Sequence, residues 1–198
     1  MIVILTGAGI SKESGISTFR DSGGLWEQES IEDVATPGGF RRDPAKVYDF
    51  YNRRRRALLQ VKPNAAHEAL ARLERTWPNP VLVVTQNVDD LHERAGSKSL
   101  IHMHGELLKA RCQKCGGVMD WVEDLSAKDE CPVCERSGQL RPHIVWFEEI
   151  PLMMDDIESA LSKCSTFVSI GTSGAVYPAA GFVRPARNSG AHTLELNL

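Results

Sequence analysis

The sequence predicts an α/β protein in which helices cover both faces of a mostly parallel β-sheet. Short apolar runs rich in β-branched residues recur along the chain, each bounded by glycine or polar residues, as in buried parallel strands. Segments with apolar residues at helical spacing lie between these runs. Glycine turns follow two of the runs, at Gly7 and Gly171. This alternation predicts a doubly wound, Rossmann-like sheet, which binds ligands beyond the carboxyl ends of its strands.

The individual elements follow from the same patterns. We predict strands over residues 2–6, 81–85, 166–171 and 193–197. We predict helices over residues 44–60, 64–75 and 155–163. In the second of these helices Ala66, Leu70 and Leu73 repeat at helical spacing, and Asn64 is a candidate N-cap because it precedes the first apolar position.

Length and composition restrict the class of protein. With 198 residues, of which 42% are hydrophobic and 25% charged, the chain fits one domain with a sizeable core. A net charge of −3 argues against nucleic acid as a partner, because domains that bind it are usually strongly basic. No apolar run approaches the roughly 20 residues that cross a bilayer, and residues 1–5 lack the basic flank of a signal peptide. We therefore expect a cytoplasmic protein with no membrane partner, and the oligomeric state stays open.

Four of the five cysteines lie in a segment that has little else to form a core. Cys112 and Cys115 form one Cys-x-x-Cys pair, and Cys131 and Cys134 form a second pair fifteen residues further on. Each pair can place two thiolates on one side of a tight turn, and two pairs complete a closed tetrahedron around Zn²⁺. A redox pair and two disulfides are the alternatives, and a reducing compartment disfavours both. We therefore predict one structural zinc in a zinc-ribbon lobe over residues 112–140, inserted within the domain.

The first glycine turn alone is weak evidence for a nucleotide site. Gly7 and Gly9 follow a strand, which suggests close approach of the backbone to a phosphate. The third glycine of the dinucleotide fingerprint is missing, and Lys12 stands in its place.

The longer sequence around this turn resembles the NAD-binding signature of the sirtuins. The resemblance is carried by GAGISKESGISTFR at 7–20, TQNVDDLH at 85–92, HGE at 104–106, GTS at 171–173 and ELN at 195–197. These blocks occur in the family's order along nearly the whole chain, and the paired cysteines lie where sirtuins carry their zinc. The chain is similar in particular to the bacterial class III members, which are desuccinylase- and demalonylase-like.

The resemblance implies NAD-dependent removal of acyl groups from lysine side chains of cellular proteins. NAD⁺ is then the co-substrate, and nicotinamide and O-acyl-ADP-ribose are released. His104 is implied to be the catalytic base, a role that suits a histidine because its pKa lies near neutrality. The residue pattern alone cannot choose between His102 and His104, which are expected to share one face of a strand.

The resemblance also implies a set of residues that bind NAD. Asn87 and Asp89 are implied to line the nicotinamide pocket and Gln86 to contact the ribose, although without the family match a helix-capping cluster would be the preferred interpretation. Phe19 and Arg20 are implied to cover the nicotinamide ribose. The remaining implied contacts, to phosphate, ribose or the surrounding backbone, are Gly7, Ala8, Gly9, Ile10, Ser11, Trp26, Val88, Gly171, Thr172, Ser173 and Asn197.

Two segments are candidates for substrate binding. Tyr51 and Arg54 are three residues apart on a predicted helix and match the Tyr-x-x-Arg of sirtuins that accept acidic acyl groups. A guanidinium can hold a carboxylate through two parallel hydrogen bonds, and the phenol adds a third donor. The other arginines of this run, Arg53, Arg55 and Arg56, are expected on a solvated helix face.

The second substrate segment is Val145, Trp146 and Phe147, which resembles the segment that pairs with the substrate peptide as an added strand. The chain departs from the family pattern at the next residue, because Glu148 stands where sirtuins usually have glycine. Glycine there permits a positive φ or close backbone approach, so a side chain could hinder peptide docking.

Sirtuins normally continue beyond the last predicted strand. The resemblance therefore implies that residues 1–198 form a single catalytic domain that lacks its usual C-terminal end. A truncated, non-catalytic module that binds NAD or acyl-lysine is one alternative function, and a mono-ADP-ribosyltransferase is another.

Overall fold

The computed structural model describes residues 1–17 and 29–197. Five of the strands form a parallel sheet in the order β3-β2-β1-β7-β8, and three form an antiparallel sheet in the order β5-β4-β6. The strands are β1 (Ile2–Thr6), β2 (Val81–Thr85), β3 (Leu100–His102), β4 (Gly105–Cys112), β5 (Val118–Asp120), β6 (Leu140–Ile144), β7 (Thr166–Ile170) and β8 (His192–Leu196). The α-helices are α1 (Ile31–Val34), α2 (Pro37–Arg42), α3 (Pro44–Leu58), α4 (Ala65–Thr76), α5 (Leu91–Ala95), α6 (Met154–Leu161) and α7 (Val183–Asn188), and two short 3-10 helices span Ala8–Ser14 and Ala179–Gly181.

The central strand β1 is buried on both faces of the parallel sheet. Val3 and Leu5 belong to a core cluster with Ile157 of α6, whereas Ile4 belongs to a separate cluster with Leu70 of α4. Successive side chains of a strand point to opposite faces, so one continuous apolar run fills two cores. The doubly wound α/β sheet predicted from the sequence is confirmed.

The order of the strands fixes where a ligand can bind. The chain adds β2 and β3 on one side of β1 and later returns to add β7 and β8 on the other side. The direction of winding therefore reverses between β1 and β7. In open α/β sheets the ligand crevice lies at this switch, outside the carboxyl ends of the strands.

Most of the predicted elements are found within two residues of their predicted bounds. Strands β1 and β2 match the prediction, β7 and β8 differ by one residue, and α3 ends at Leu58 instead of residue 60. Asn64 is the N-cap of α4, and its Oδ1 accepts a hydrogen bond of 3.0 Å from Ala66 N. Strand β3, the antiparallel sheet and the short helices were not predicted.

The helix α3 packs against the antiparallel sheet, and Arg55 lies in this contact. The expectation that Arg55 lies on a solvated face is wrong, because the residue is 0% exposed. Its Nε donates to Leu107 O at 3.1 Å and its Nη1 donates to Asn52 Oδ1 at 2.6 Å. These acceptors hold the guanidinium in the interior and tie the helix to β4. Arg53 and Arg56 are exposed, as expected.

The division of the chain into one domain with a lobe inserted over residues 112–140 stays a prediction. Within the described residues, no helix combines the length and the apolar character needed to cross a membrane.

Candidate active site and zinc site

Two glycine turns meet at the switch point of the parallel sheet. Gly7 N donates to Ile170 O at 3.0 Å and Gly9 N donates to Gly171 O at 2.8 Å, so the turn after β1 lies directly on the turn after β7. A Cβ atom added to Gly7 would lie 2.7 Å from Gly171 O, and one added to Gly9 would lie 2.8 Å from the Gly171 Cα. The glycines are therefore required by this backbone contact. Ala8 and Ile10 continue from the turn into the first 3-10 helix, where Ile10 is buried.

A buried polar cluster lies beside these turns. Asn87 Nδ2 donates to Gly7 O and to Ser11 Oγ, both at 3.1 Å, and Ser11 Oγ donates to Asp89 Oδ2 at 2.9 Å. Burial raises the pKa of Asp89, and the hydrogen bonds from Leu91 N and Ser11 Oγ offset part of that rise. The prediction that Ser11, Asn87 and Asp89 belong to one site is consistent with this geometry.

A second polar group lies across the ends of β2, β7 and β8. Gln86 Nε2 donates to Thr172 Oγ1 at 3.0 Å, and Asn197 Nδ2 donates to Thr172 O at 2.8 Å. Ser173 is exposed beside them. Amide and hydroxyl groups of this kind can pair with ribose hydroxyls and with a carboxamide, so the donors and acceptors present fit NAD. Val88 lies in the loop that follows β2 and is half-buried. Its carbonyl accepts from Leu107 N at 2.8 Å.

His104 lies in the turn between β3 and β4 and points toward the same strand ends. The expectation that it lies on a strand is wrong, because β3 ends at His102 and β4 begins at Gly105. The His104 Nδ1 lies 3.0 Å from Gln86 O. A carbonyl oxygen can only accept, so Nδ1 carries the hydrogen and Nε2 keeps its lone pair for a reacting proton. Burial lowers the pKa of His104, and the bond to Gln86 O offsets part of that lowering.

The neighbouring His102 has a different environment, which the sequence pattern did not reveal. Its Nδ1 lies 3.2 Å from Asn87 O, and its Nε2 lies 2.6 Å from Glu93 Oε1. Glu93, His102 and Glu106 place possible ligand atoms within 4.8 Å of one another. Glu93 is bonded to His102, and Glu106 is paired with Lys109 at 2.9 Å, so this group is an ion-pair cluster. Glu93 has no sequence signal beyond its position one helical turn after Asp89.

Tyr51 and Arg54 lie on the same helix, α3, but make different contacts. Tyr51 is buried, and its hydroxyl accepts from Trp146 Nε1 at 2.9 Å, which leaves its own hydrogen available. The Arg54 guanidinium lies 3.2 Å from the centre of the Phe50 ring, and its Nη1 donates to Phe50 O at 2.9 Å. The buried Arg54 Nε has no hydrogen-bond partner, and no carboxylate in the described residues pairs with Arg54.

The segment after β6 has its backbone N–H groups already bonded. Val145 N donates to His104 O at 2.8 Å, and Phe147 N donates to Ala35 O at 2.9 Å. Trp146 N donates to Glu149 Oε2 at 2.8 Å. The Trp146 ring is buried, whereas the Phe147 side chain is 40% exposed. The Trp146 carbonyl is bonded as well, since it accepts from Glu149 N at 3.1 Å, so the backbone of this segment is largely hydrogen-bonded within the protein.

Glu148 has a backbone conformation that favours glycine. Its φ is +73°, in the left-handed region that residues with a Cβ atom rarely adopt. The interpretation that a glycine at position 148 would permit a positive φ is consistent with this backbone conformation.

The four paired cysteines converge between β4 and β6. Cys112 Sγ lies 3.7 Å from Cys134 Sγ, and Cys115 Sγ lies 3.8 Å from Cys131 Sγ. All four sulfurs lie within 4.8 Å of one another. A tetrahedron with Zn–S bonds of about 2.3 Å has S–S edges of roughly 3.8 Å, so the sulfurs fit a zinc ion. With four thiolates and no open position, the site is structural.

Three residues assigned to NAD binding, Phe19, Arg20 and Trp26, lie outside the described residues.

Comparisons with known proteins agree with this geometry. The model of the Sir2 family matches residues 7–178. An NAD-dependent protein deacylase of Pasteurella multocida (strain Pm70) is 62% identical over 199 residues, which cover 100% of this chain and 85% of the relative. A solved Sir2 homolog–NAD complex has a TM-score of 0.90 and 38% identity, covering 99% of this chain and 77% of that one. A solved Sir2 bound to acetylated peptide has a TM-score of 0.85 and 34% identity, covering 100% and 81%. With its glycine turns, its polar cluster and its four-cysteine site in this arrangement, the chain belongs to the Sir2 family.

Proposed function

We propose that this protein removes acyl groups from lysine side chains of proteins, with NAD as co-substrate. The observation that carries the proposal is the orientation of His104, whose Nδ1 is fixed 3.0 Å from Gln86 O while Nε2 stays available. This histidine lies at the strand ends with the glycine turns and the polar cluster of Asn87 and Asp89. When bound, NAD supplies the ADP-ribosyl group that takes the acyl group as nicotinamide leaves.

His104 is the base in this proposal. Because burial lowers its pKa, the imidazole is neutral near pH 7 and can take a proton from a ribose hydroxyl at Nε2. The hydrogen bond to Gln86 O selects the tautomer and holds the ring, which keeps the basic nitrogen aimed in one direction. One water molecule is consumed, and the products are deacylated lysine, nicotinamide and O-acyl-ADP-ribose.

The other polar residues have positioning roles in the proposal. Asn87 and Asp89, linked through Ser11, would hold the carboxamide of nicotinamide. Gln86 and Thr172 would hold a ribose or phosphate, and Asn197 the second ribose. The turn of residues 7–11 and Gly171 would lie beside the pyrophosphate, because both follow the carboxyl ends of strands at the switch point of the sheet.

The test is release of nicotinamide when purified protein is incubated with NAD and acyl-lysine peptides. His104→Ala should lower kcat by at least about 100-fold, because general bases typically contribute that much, while NAD binding measured by calorimetry changes little. His143→Ala is the matched control, since His143 is a half-buried histidine on β6 outside this site. Equal rates for wild type and His104→Ala would reject the proposal.

We further propose that the enzyme prefers acyl groups that carry a carboxylate, and this part of the proposal depends on Arg54. Burial lowers the pKa of Arg54 to about 10, yet the group keeps its charge near pH 7 with no carboxylate partner in the described residues. By contrast, the exposed Arg53 pairs with Asp49 at 3.0 Å. A half-buried guanidinium with no carboxylate partner in the described residues favours an anionic ligand. With the free hydroxyl hydrogen of Tyr51, it would bind the carboxylate of a succinyl or malonyl group.

Replacing Arg54 by Met tests this preference. Loss of one partner of a buried charge pair costs about 3 kcal/mol, so kcat/KM for succinyl-lysine peptides should fall roughly 150-fold. Activity on acetyl-lysine peptides should change less than about threefold, because the neutral acyl group makes no such pair. Arg53→Met, on the exposed side of the same helix, is the matched control and should leave both activities unchanged. A parallel fall in both activities for Arg54→Met would contradict the assignment.

A further inference from the structure

Two histidines hold consecutive carbonyl groups of the loop after β2. The His104 Nδ1 lies 3.0 Å from Gln86 O, and the His102 Nδ1 lies 3.2 Å from Asn87 O. Both rings therefore carry hydrogen at Nδ1, because the carbonyls can only accept. The rings differ at Nε2, which is available in His104 but bonded to Glu93 Oε1 at 2.6 Å in His102. One ring is thus arranged to take a proton, and the other is arranged to stay in place.

Glu93 fixes the charge and the direction of the His102 ring. Burial of His102 lowers its pKa, but the hydrogen bond and the charge of Glu93 outweigh this, and the net effect raises the pKa. The His102 side chain is only 9% exposed, whereas Glu93 is 40% exposed and reaches it from α5. A short bond between a charged ring and a carboxylate holds geometry more firmly than a neutral one.

Three polar groups of Asn87 are hydrogen-bonded: the backbone N–H, the side-chain Nδ2 and the backbone carbonyl. Asn87 N donates to Thr85 Oγ1 at 3.0 Å, and Nδ2 donates to Gly7 O and Ser11 Oγ. With the carbonyl bonded to His102, the backbone of Asn87 is held at both its N–H and its C=O, and the side-chain amide is held through Nδ2. The side-chain Oδ1 of Asn87 is then presented in one fixed orientation.

We infer that His102 is a positioning residue for Asn87 and that Glu93 orients His102. This relay, from Glu93 through His102 to Asn87, sets the affinity for NAD and for nicotinamide. His102 does not touch the reactants in this account, and it takes no part in proton transfer. The inference rests on the proposed function, because Asn87 is placed in the nicotinamide pocket there. The relay affects the binding of NAD and nicotinamide, whereas His104 carries out the proton transfer.

The test compares His102→Leu with His102→Asn. Leucine removes the donor to Asn87 O, so the KM for NAD should rise about five- to tenfold, as expected for loss of one part-buried hydrogen bond. kcat and the KM for the acyl peptide should change less than about twofold. Asparagine places an amide N–H near the position of Nδ1, and should return the KM for NAD to within about threefold of wild type.

Two further variants keep the test decisive. His143→Leu makes the same substitution in a half-buried histidine on β6 and should leave the KM for NAD unchanged. Glu93→Ala alters an exposed side chain that folding tolerates, and should raise the KM for NAD about two- to threefold through the loosened ring. Thermal unfolding of each variant checks that the fold is retained.

Failure of the inference is separable from failure of the proposed function. Calorimetric binding of NAD and of nicotinamide to wild type and His102→Leu needs no turnover, and the inference predicts weaker binding of both ligands to the variant. Equal binding, or a fall in kcat alone, or no rescue by asparagine would overturn the positioning role even in an active enzyme. Absence of turnover in wild type with the binding difference intact would reject the proposed function and leave the relay standing.

Discussion

Replacing Gly171 by alanine should damage the protein for two separable reasons. The backbone of Gly171 has a φ of +60°, which costs a residue with a Cβ atom roughly 1–2 kcal/mol. The added Cβ would also meet Ile10 N and would lie 2.8 Å from the Gly9 carbonyl carbon. Overpacking of this kind costs about 1–3 kcal/mol. Because alanine also restricts the unfolded chain, which returns about 0.4–1 kcal/mol, we expect the free energy of unfolding to fall by about 2–4 kcal/mol.

Gly174 supplies the matched control. Its φ is +62°, close to that of Gly171, but a Cβ atom there would meet nothing within 4 Å. Gly174→Ala should therefore cost only the backbone strain, about 1 kcal/mol or less after the gain from the unfolded state. The difference between the two variants isolates the contact between the two glycine turns.

Urea unfolding of both variants measures the difference, with unchanged m-values showing that the transition stays two-state. The midpoint of thermal unfolding should fall by roughly 4–16 °C for Gly171→Ala and by about 4 °C at most for Gly174→Ala. The KM for NAD should rise in Gly171→Ala alone, because its Cβ pushes the turn after β1 out of place. Equal destabilisation by the two substitutions would refute the argument that the turns are held by direct backbone contact.

Three other outcomes are expected. Cys112→Ser should lower the zinc content, measured by metal analysis, from about one ion per chain toward zero. It should also reduce the free energy of unfolding, measured with urea, by more than about 4 kcal/mol. Full zinc retention would contradict the four-thiolate site. Glu148→Gly should raise the free energy of unfolding by up to about 1 kcal/mol because it relieves a φ of +73°, whereas Glu123→Gly, at an exposed residue outside the left-handed region, should lower it. Because the pKa of His104 is lowered by burial and the neutral ring is the base, kcat should hold as pH falls to 6.5 and decline only below it; a decline centred above pH 6.5 would exclude His104 as the titrating group.

The central strands β1 and β2 of the parallel sheet could be predicted from the sequence because they are buried on both faces. Residues 2–5 are then all apolar, the strand ends at Thr6, and a glycine follows it. The antiparallel sheet gives no such signal. In β4 the burial alternates only in part, and the pairing with β6 shifts register between Glu106 and Ala110. A strand with an interrupted alternation and several charged residues has no clear period of two.

The site could be predicted where chemistry depends on spacing, and less well where it depends on distant contacts. The cysteine spacing predicted the zinc site without any knowledge of a family. The burial of Arg55 could not be predicted, since it depends on the carbonyl of Leu107, on a strand far along the chain. The contact between Glu93 and His102 has the same origin, because the turn that follows α5 brings β3 back beside the helix. The roles assigned to the individual residues stay predictions.

The fate of the ADP-ribosyl group tests the central claim most directly. Purified protein would be incubated with an acyl-lysine peptide and with NAD labelled in its adenosine. The amounts of released nicotinamide, of deacylated peptide and of each labelled product would be measured in the same reaction. The proposed reaction yields equal amounts of nicotinamide, deacylated peptide and labelled O-acyl-ADP-ribose, and no nicotinamide is released when the peptide carries no acyl group. Label bound to protein without deacylated peptide, or binding of NAD with no nicotinamide released, would contradict it.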